Sequence, residues 1–130
     1  MAWTLAFWLL AALVLDPAMS ERHYVCEDET MLIDCKGKYI NIHGAVWGNM
    51  NPKLCPDMEA EINGIEPQHC KADLSWFAVA FHCQGQQSCK LPARNTTFFN
   101  VDPCAGTRKY LEVSFECMET EQKCEFRGKS

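Results

Sequence analysis

The run Asp102-Pro103-Cys104-Ala105-Gly106-Thr107-Arg108-Lys109-Tyr110-Leu111-Glu112-Val113, preceded by Cys83-Gln84-Gly85-Gln86-Gln87-Ser88-Cys89-Lys90-Leu91-Pro92-Ala93, decides the fold. Asp102 before Pro103 is a turn initiator, and Gly106-Thr107 supplies a second turn. A strand then leaves with Lys109, Leu111, Val113, Phe115 and Cys117 on one face and Tyr110, Glu112, Ser114 and Glu116 on the other. A loop pinned by a disulfide thus presents an acid, backbone donors and a base close together, and the first of the two strand faces is expected to be core.

Upstream, Trp3 to Leu15 is continuously apolar or small, and Ala18-Met19-Ser20 offers a small-x-small cleavage site. Residues 1–20 therefore read as a secretory signal peptide, and no apolar run is long enough for a membrane span. About 110 residues follow, enough for one domain. They hold all nine cysteines, a density typical of small extracellular folds whose core is thin. Asp16 is the only charged side chain of the leader, so 16 acids face 12 bases in the remainder. That balance, with no Lys/Arg cluster, speaks against nucleic acid as a partner.

Thr30 to Cys35 alternates with Met31, Ile33 and Cys35 on one side, and Lys38 to His43 alternates again with Ile40 and Ile42 inward. With Gly37 between them, the two segments predict an antiparallel hairpin. Asp73 precedes Leu74, Phe77, Ala78 and Phe81, a helical stripe with a candidate N-cap, and Gly85 is a stop signal. One helix of about three turns is expected there, with Trp76 in its buried stripe. Gly44–Pro67 and Pro92–Gly106 read as long loops that need covalent staples, and 118–130 as a polar tail. The class is α+β: a small disulfide-stapled domain of antiparallel strands, one main helix and long structured loops.

His23, His43, His69 and His82 share no metal-ligand spacing, so no metal or other cofactor is expected. No Gly-x-Ser-x-Gly element is present, and nothing sets two carboxylates at the fixed separation glycoside hydrolysis needs, so an enzyme is the weakest hypothesis. Asn95-Thr96-Thr97 is an N-glycosylation sequon.

Cys26-Glu27, then Cys35, Ala45-Val46-Trp47-Gly48-Asn49, Cys55, Cys70, the Cys83–Cys89 run and the Asp102–Leu111 run occur in this order. Together they resemble the rhamnose- and galactose-binding lectin domain of the sea-urchin-egg-lectin type, also found in latrophilin ectodomains. The resemblance spans nearly all of 21–117. It implies the pairings Cys26–Cys55, Cys35–Cys117, Cys70–Cys104 and Cys83–Cys89, and it leaves Cys124 over.

The resemblance also implies that Glu27, Asp102 and Lys109 contact a sugar ring, with backbone around Gly106 and Thr107 assisting. Such a site wants carboxylate acceptors, cationic or backbone donors and often an aromatic face. Trp47, in a Gly/Asn-rich stretch, is the candidate exposed ring. The chain departs from the family pattern at Val46-Trp47 and Asn49, where Asn-Tyr and Arg are usual, and at Arg108, where Tyr is usual.

A secreted lectin for galactose- or rhamnose-like sugars follows, independent of metal, with soluble or cell-surface glycans and glycoproteins as partners. The alternative is a protein-recognition module, or a venom or immune effector, on the same scaffold. Cys124 is either a free thiol or the link of a disulfide-bonded homodimer.

Overall fold

The computed structural model describes residues 20–51, 53–55 and 70–121. Six strands, one α-helix and one 3₁₀ turn alternate along them: β1 Glu21–Cys26, β2 Thr30–Asp34, β3 Tyr39–Asn49, β4 Cys70–Lys71, α1 Ser75–Cys83, β5 Ser88–Pro92, a 3₁₀ helix Asn95–Phe98 and β6 Tyr110–Met118. β1, β6, β3 and β4 form one antiparallel sheet in that order, and β2 and β5 form a second.

The hairpin expected from Thr30 to His43 does not form. Lys38 N–H closes a turn on the Cys35 carbonyl, but β2 goes on to pair with β5 while β3 pairs with β6. Alternation told correctly which side chains are buried, yet it carries no information on which strand is the neighbour. Met31 and Ile33 from β2, Leu91 from β5, Ile40 and Ile42 from β3, and Leu111, Val113 and Phe115 from β6 meet in one core. Tyr110, on the outer face of β6, is also buried, beneath the Cys26–Cys55 bridge in a second, smaller cluster.

β3 is longer than the sequence suggested, because Gly44 to Asn49, read as loop, continues the ladder against β6. The register slips between Ile42 and Gly44, a bulge at His43. One extra residue reverses the inside–outside phase of everything after it. Simple alternation from Ile40 and Ile42 would turn Trp47 outward; after the bulge, Ala45 pairs with Val113 and Trp47 with Leu111 on the core side. Gly48 follows because β4 crosses so close that a Cβ there would collide with the Cys70 carbonyl.

The helix forms where expected but is turned about its axis. Its buried side is Ser75, Ala78, Val79, Ala80 and Cys83, while Leu74, Phe77 and Phe81 face out and Trp76 is 40% exposed. Ser75 explains the choice: its hydroxyl accepts the Trp47 backbone N–H and donates to the Ala72 carbonyl, and small residues let α1 lie close on β3. Leu74, not Asp73, occupies the N-cap position, without a side-chain cap. Gly85, at φ +78, turns the chain out of the helix.

Four disulfides join Cys26–Cys55, Cys35–Cys117, Cys70–Cys104 and Cys83–Cys89. Cys124 and the 1–20 leader lie outside the described residues, except Ser20, which precedes β1. No helix among the described residues is long and apolar enough to cross a membrane.

Candidate functional site

Beyond the pairing of Cys26 with Tyr110, the β1–β6 ladder is continued by one residue. Glu27 N–H donates to the Lys109 carbonyl, and Glu27 Oε1 accepts the Lys109 N–H, both at 2.9 Å. The first motif is thereby docked onto the last one, 82 residues later in the chain. From the other side comes the 102–107 loop, tethered through Cys104 to Cys70. Asp102 Oδ1 accepts the Cys104 N–H, Thr107 N–H donates to the Cys104 carbonyl, and Gly106 takes φ +79 in the turn.

Lys109 lies between these two arms. Its ammonium is 3.2 Å from Asp102 Oδ1, 3.4 Å from Glu27 Oε2 and donates to the Thr107 carbonyl at 2.8 Å. An ammonium has three N–H donors, so all three directions are occupied. The side chain is 4% exposed, against 26% for Glu27 and 34% for Asp102. The cation is therefore a buried clamp, and the two carboxylates it gathers face solvent with lone pairs left over.

These groups line an open hollow of about 410 Å³ formed by Glu27, Asp28, Asp102, Gly106, Thr107, Arg108 and Lys109. Asp28 was not singled out by the sequence. It sits at φ +74 in the tight β1–β2 connection, where Asp is better tolerated than most residues, and its N–H is fixed on the Ala93 carbonyl. Its carboxylate is exposed at the rim with Arg94 at 3.7 Å. The only signal in the sequence was its place beside Glu27.

Trp47 must be corrected. It is fully buried and does not line the hollow, so it offers no ring to a ligand. Its indole stacks on Phe98 at 5.1 Å, donates from Nε1 to Asn95 Oδ1 at 3.1 Å, and lies beneath the Lys109 ammonium, 6.0 Å from the ring centroid. An ammonium over an indole face is held by the ring quadrupole, so Trp47 supports the clamp from below. Asn49 is likewise internal, donating through Nδ2 to the Arg108 carbonyl. Among the described residues, no group of His, Cys, Asp or Glu has metal-ligand geometry.

A hollow of carboxylate acceptors around an internally neutralised cation can receive hydrogen bonds from a ligand rich in donors. The chain belongs to the D-galactoside/L-rhamnose binding SUEL lectin domain family, whose model matches residues 33–117. It is 34% identical over 98 residues to a D-galactoside-specific lectin of Heliocidaris crassispina, covering 75% of this chain and 90% of that one. The L-rhamnose-binding lectin ELEL-1 of Echinometra lucunter is 36% identical over 99 residues, with the same coverage. Latrophilin Cirl of Drosophila mojavensis matches at 32% over 103 residues, only 6% of its length. The family and these lectin relatives make the chain a carbohydrate-binding lectin, not an enzyme. Glu27 precedes the matched span, and its place in the hollow rests on the geometry alone.

Proposed function

We propose that this chain is a secreted lectin that binds a terminal galactose- or rhamnose-like sugar in the hollow, without a metal ion. The observation that carries this reading is the Lys109 clamp. It holds Glu27 and Asp102 side by side in the wall of the hollow, both partly exposed, an arrangement suited to accepting hydrogen bonds from neighbouring hydroxyls of one ring. Gly106 and Thr107 form the adjoining wall. The apolar leader and four disulfides support export to an oxidising compartment. The clamp supports metal independence, since Lys109 supplies the counter-charge that a cation would otherwise bring.

Retention on immobilised galactose or rhamnose, with elution by free sugar, tests the reading. A lone site with Kd near 1 mM corresponds to about −4 kcal/mol. Asp102→Ala removes a charge-assisted acceptor of about 1.5–3 kcal/mol and should abolish retention in a folded, oxidised protein. Retention by that variant, or elution of the parent by chelator alone, refutes the assignment.

For Cys124 we propose a disulfide-linked homodimer, in which two weak sites would gain about 10²–10⁴ in avidity where both can engage. A monomeric band on a non-reducing gel refutes it.

A further inference from the structure

The outward stripe of α1 takes no part in the lectin hollow. Leu74, Phe77 and Phe81 recur at helical spacing on one face, with Leu74 54% and Phe81 67% exposed. Phe99, 50% exposed, reaches it from the other side with its ring centroid 6.0 Å from that of Phe77. Large apolar side chains gathered on one exposed helix face, with Phe99 against Phe77, are uncommon unless something covers them.

The neighbouring element carries the sequon. The 3₁₀ helix Asn95–Phe98 packs against α1, and Phe99 is its C-cap, in left-handed conformation. Asn100 N–H donates to the Asn95 carbonyl at 2.8 Å, folding Phe99 back beside Asn95. The Asn95 side chain is half-buried: Oδ1 accepts the Trp47 indole N–H, and Nδ2, the atom that N-glycosylation substitutes, is the other arm of the same amide. Glycosylation leaves Oδ1 a carbonyl acceptor, so the inner hydrogen bond and the outer glycan are compatible.

We propose that Asn95 bears an N-linked glycan whose first sugar residues lie over Phe99 and Phe81, their C–H faces against the rings, and so cover the aromatic stripe of α1. The proposal depends on secretion and is independent of the sugar-binding hollow. The glycan would act as the solubilising cover of a helix face that the protein core does not use, with attachment on the same short element that holds Trp47 beneath Lys109.

The test uses protein secreted from eukaryotic cells, before and after enzymatic removal of the glycan by peptide-N-glycosidase. That enzyme converts Asn95 to Asp and so keeps an Oδ1 acceptor for Trp47. The mass spectrum should show one glycan at Asn95. Its removal should raise the emission of a hydrophobic dye about twofold or more and delay elution from a hydrophobic-interaction column. In the glycosylated protein, ring currents should shift protons of the first N-acetylglucosamine upfield, and Phe99→Leu should abolish the shift. Phe81→Ser should shrink the difference between the two forms. An unmodified sequon overturns the proposal, as does a glycan whose removal leaves dye emission, elution and proton shifts unchanged. Retention on galactose or rhamnose resin reports on the hollow separately, so the two readings can fail independently.

Discussion

Lys109→Met isolates the clamp. Each of its two ion pairs, at 3.2 and 3.4 Å, has a gross attraction of about 5 kcal/mol at an effective dielectric of about 20. Most of that is offset by the desolvation of an ammonium only 4% exposed. Removing one partner from a buried pair typically costs about 3–5 kcal/mol, because the remaining charges stay without compensation. Here Glu27 and Asp102 keep a quarter to a third of their surface in water, so the cost falls at or below the bottom of that range, about 2–3 kcal/mol. Urea unfolding of the oxidised protein would measure it as a fall in midpoint at constant slope. The same variant carrying Glu27→Gln and Asp102→Asn should recover most of the loss, since no charge is then stranded, yet it should not bind sugar. A Lys109→Met protein within about 0.5 kcal/mol of the parent, or a triple variant no more stable than the single one, would refute the clamp.

Trp47→Phe keeps a ring against Phe98 but loses the Nε1 bond to Asn95 and should cost about 1 kcal/mol, whereas Trp47→Ala should cost about 3–5 kcal/mol; equal losses in denaturant melts would contradict the indole's two-sided role. Replacing the Cys35–Cys117 pair by serines, which opens an 82-residue separation, should destabilise by about 4–5 kcal/mol, against about 2 kcal/mol for Cys83–Cys89 with a separation of six, read from thermal unfolding of the two variants. Burial raises the Tyr110 phenol above its ordinary 10.0, with the Glu112 charge adding to the effect and backbone hydrogen bonds from Met50 and Asn51 opposing it. The unfolded phenol ionises first as pH rises, so this contribution is intact below pH 10 and is lost as pH climbs through the folded value; Tyr110→Phe should flatten the stability profile there.

What the sequence disclosed and what it withheld divide along physical lines. The final strand was legible because its alternation is unbroken and because Leu111, Val113 and Phe115 leave no other choice of core face. Trp47 was not, since a single bulge at His43 inverts the phase, and a bulge leaves no mark in hydrophobicity. The helix was found by its apolar spacing and then assigned the wrong face for the same reason: its most apolar side is the outer one. Packing distance chose a side with the small residues Ser75 and Ala78 to face the core, and size is not what a hydrophobic stripe reports. In the hollow, the resemblance to the lectin family pointed to Glu27, Asp102 and Lys109. That Lys109 is enclosed and Asp28 stands at the rim depends on tertiary hydrogen bonds that no local pattern encodes.

The staples and the site are one construction. Glu27 directly follows Cys26, whose partner is Cys55, and Asp102 is two residues before Cys104, whose partner is Cys70. Both carboxylates therefore ride on segments whose positions are held covalently, while Lys109 enters from β6, the central strand paired on both edges. Two acids brought together by loops alone would repel each other and ionise with difficulty. With the cation fixed by the sheet and the acids fixed by disulfides, the repulsion is met before any ligand arrives and little ordering remains to be done on binding. Opening Cys70–Cys104 should thus weaken sugar retention more than it weakens the fold, because its loop reaches Asp102 while most of the core is built from strands that this bridge does not join. Equal losses of retention and of stability in a Cys70→Ser/Cys104→Ser protein would show that the bridge serves the core alone.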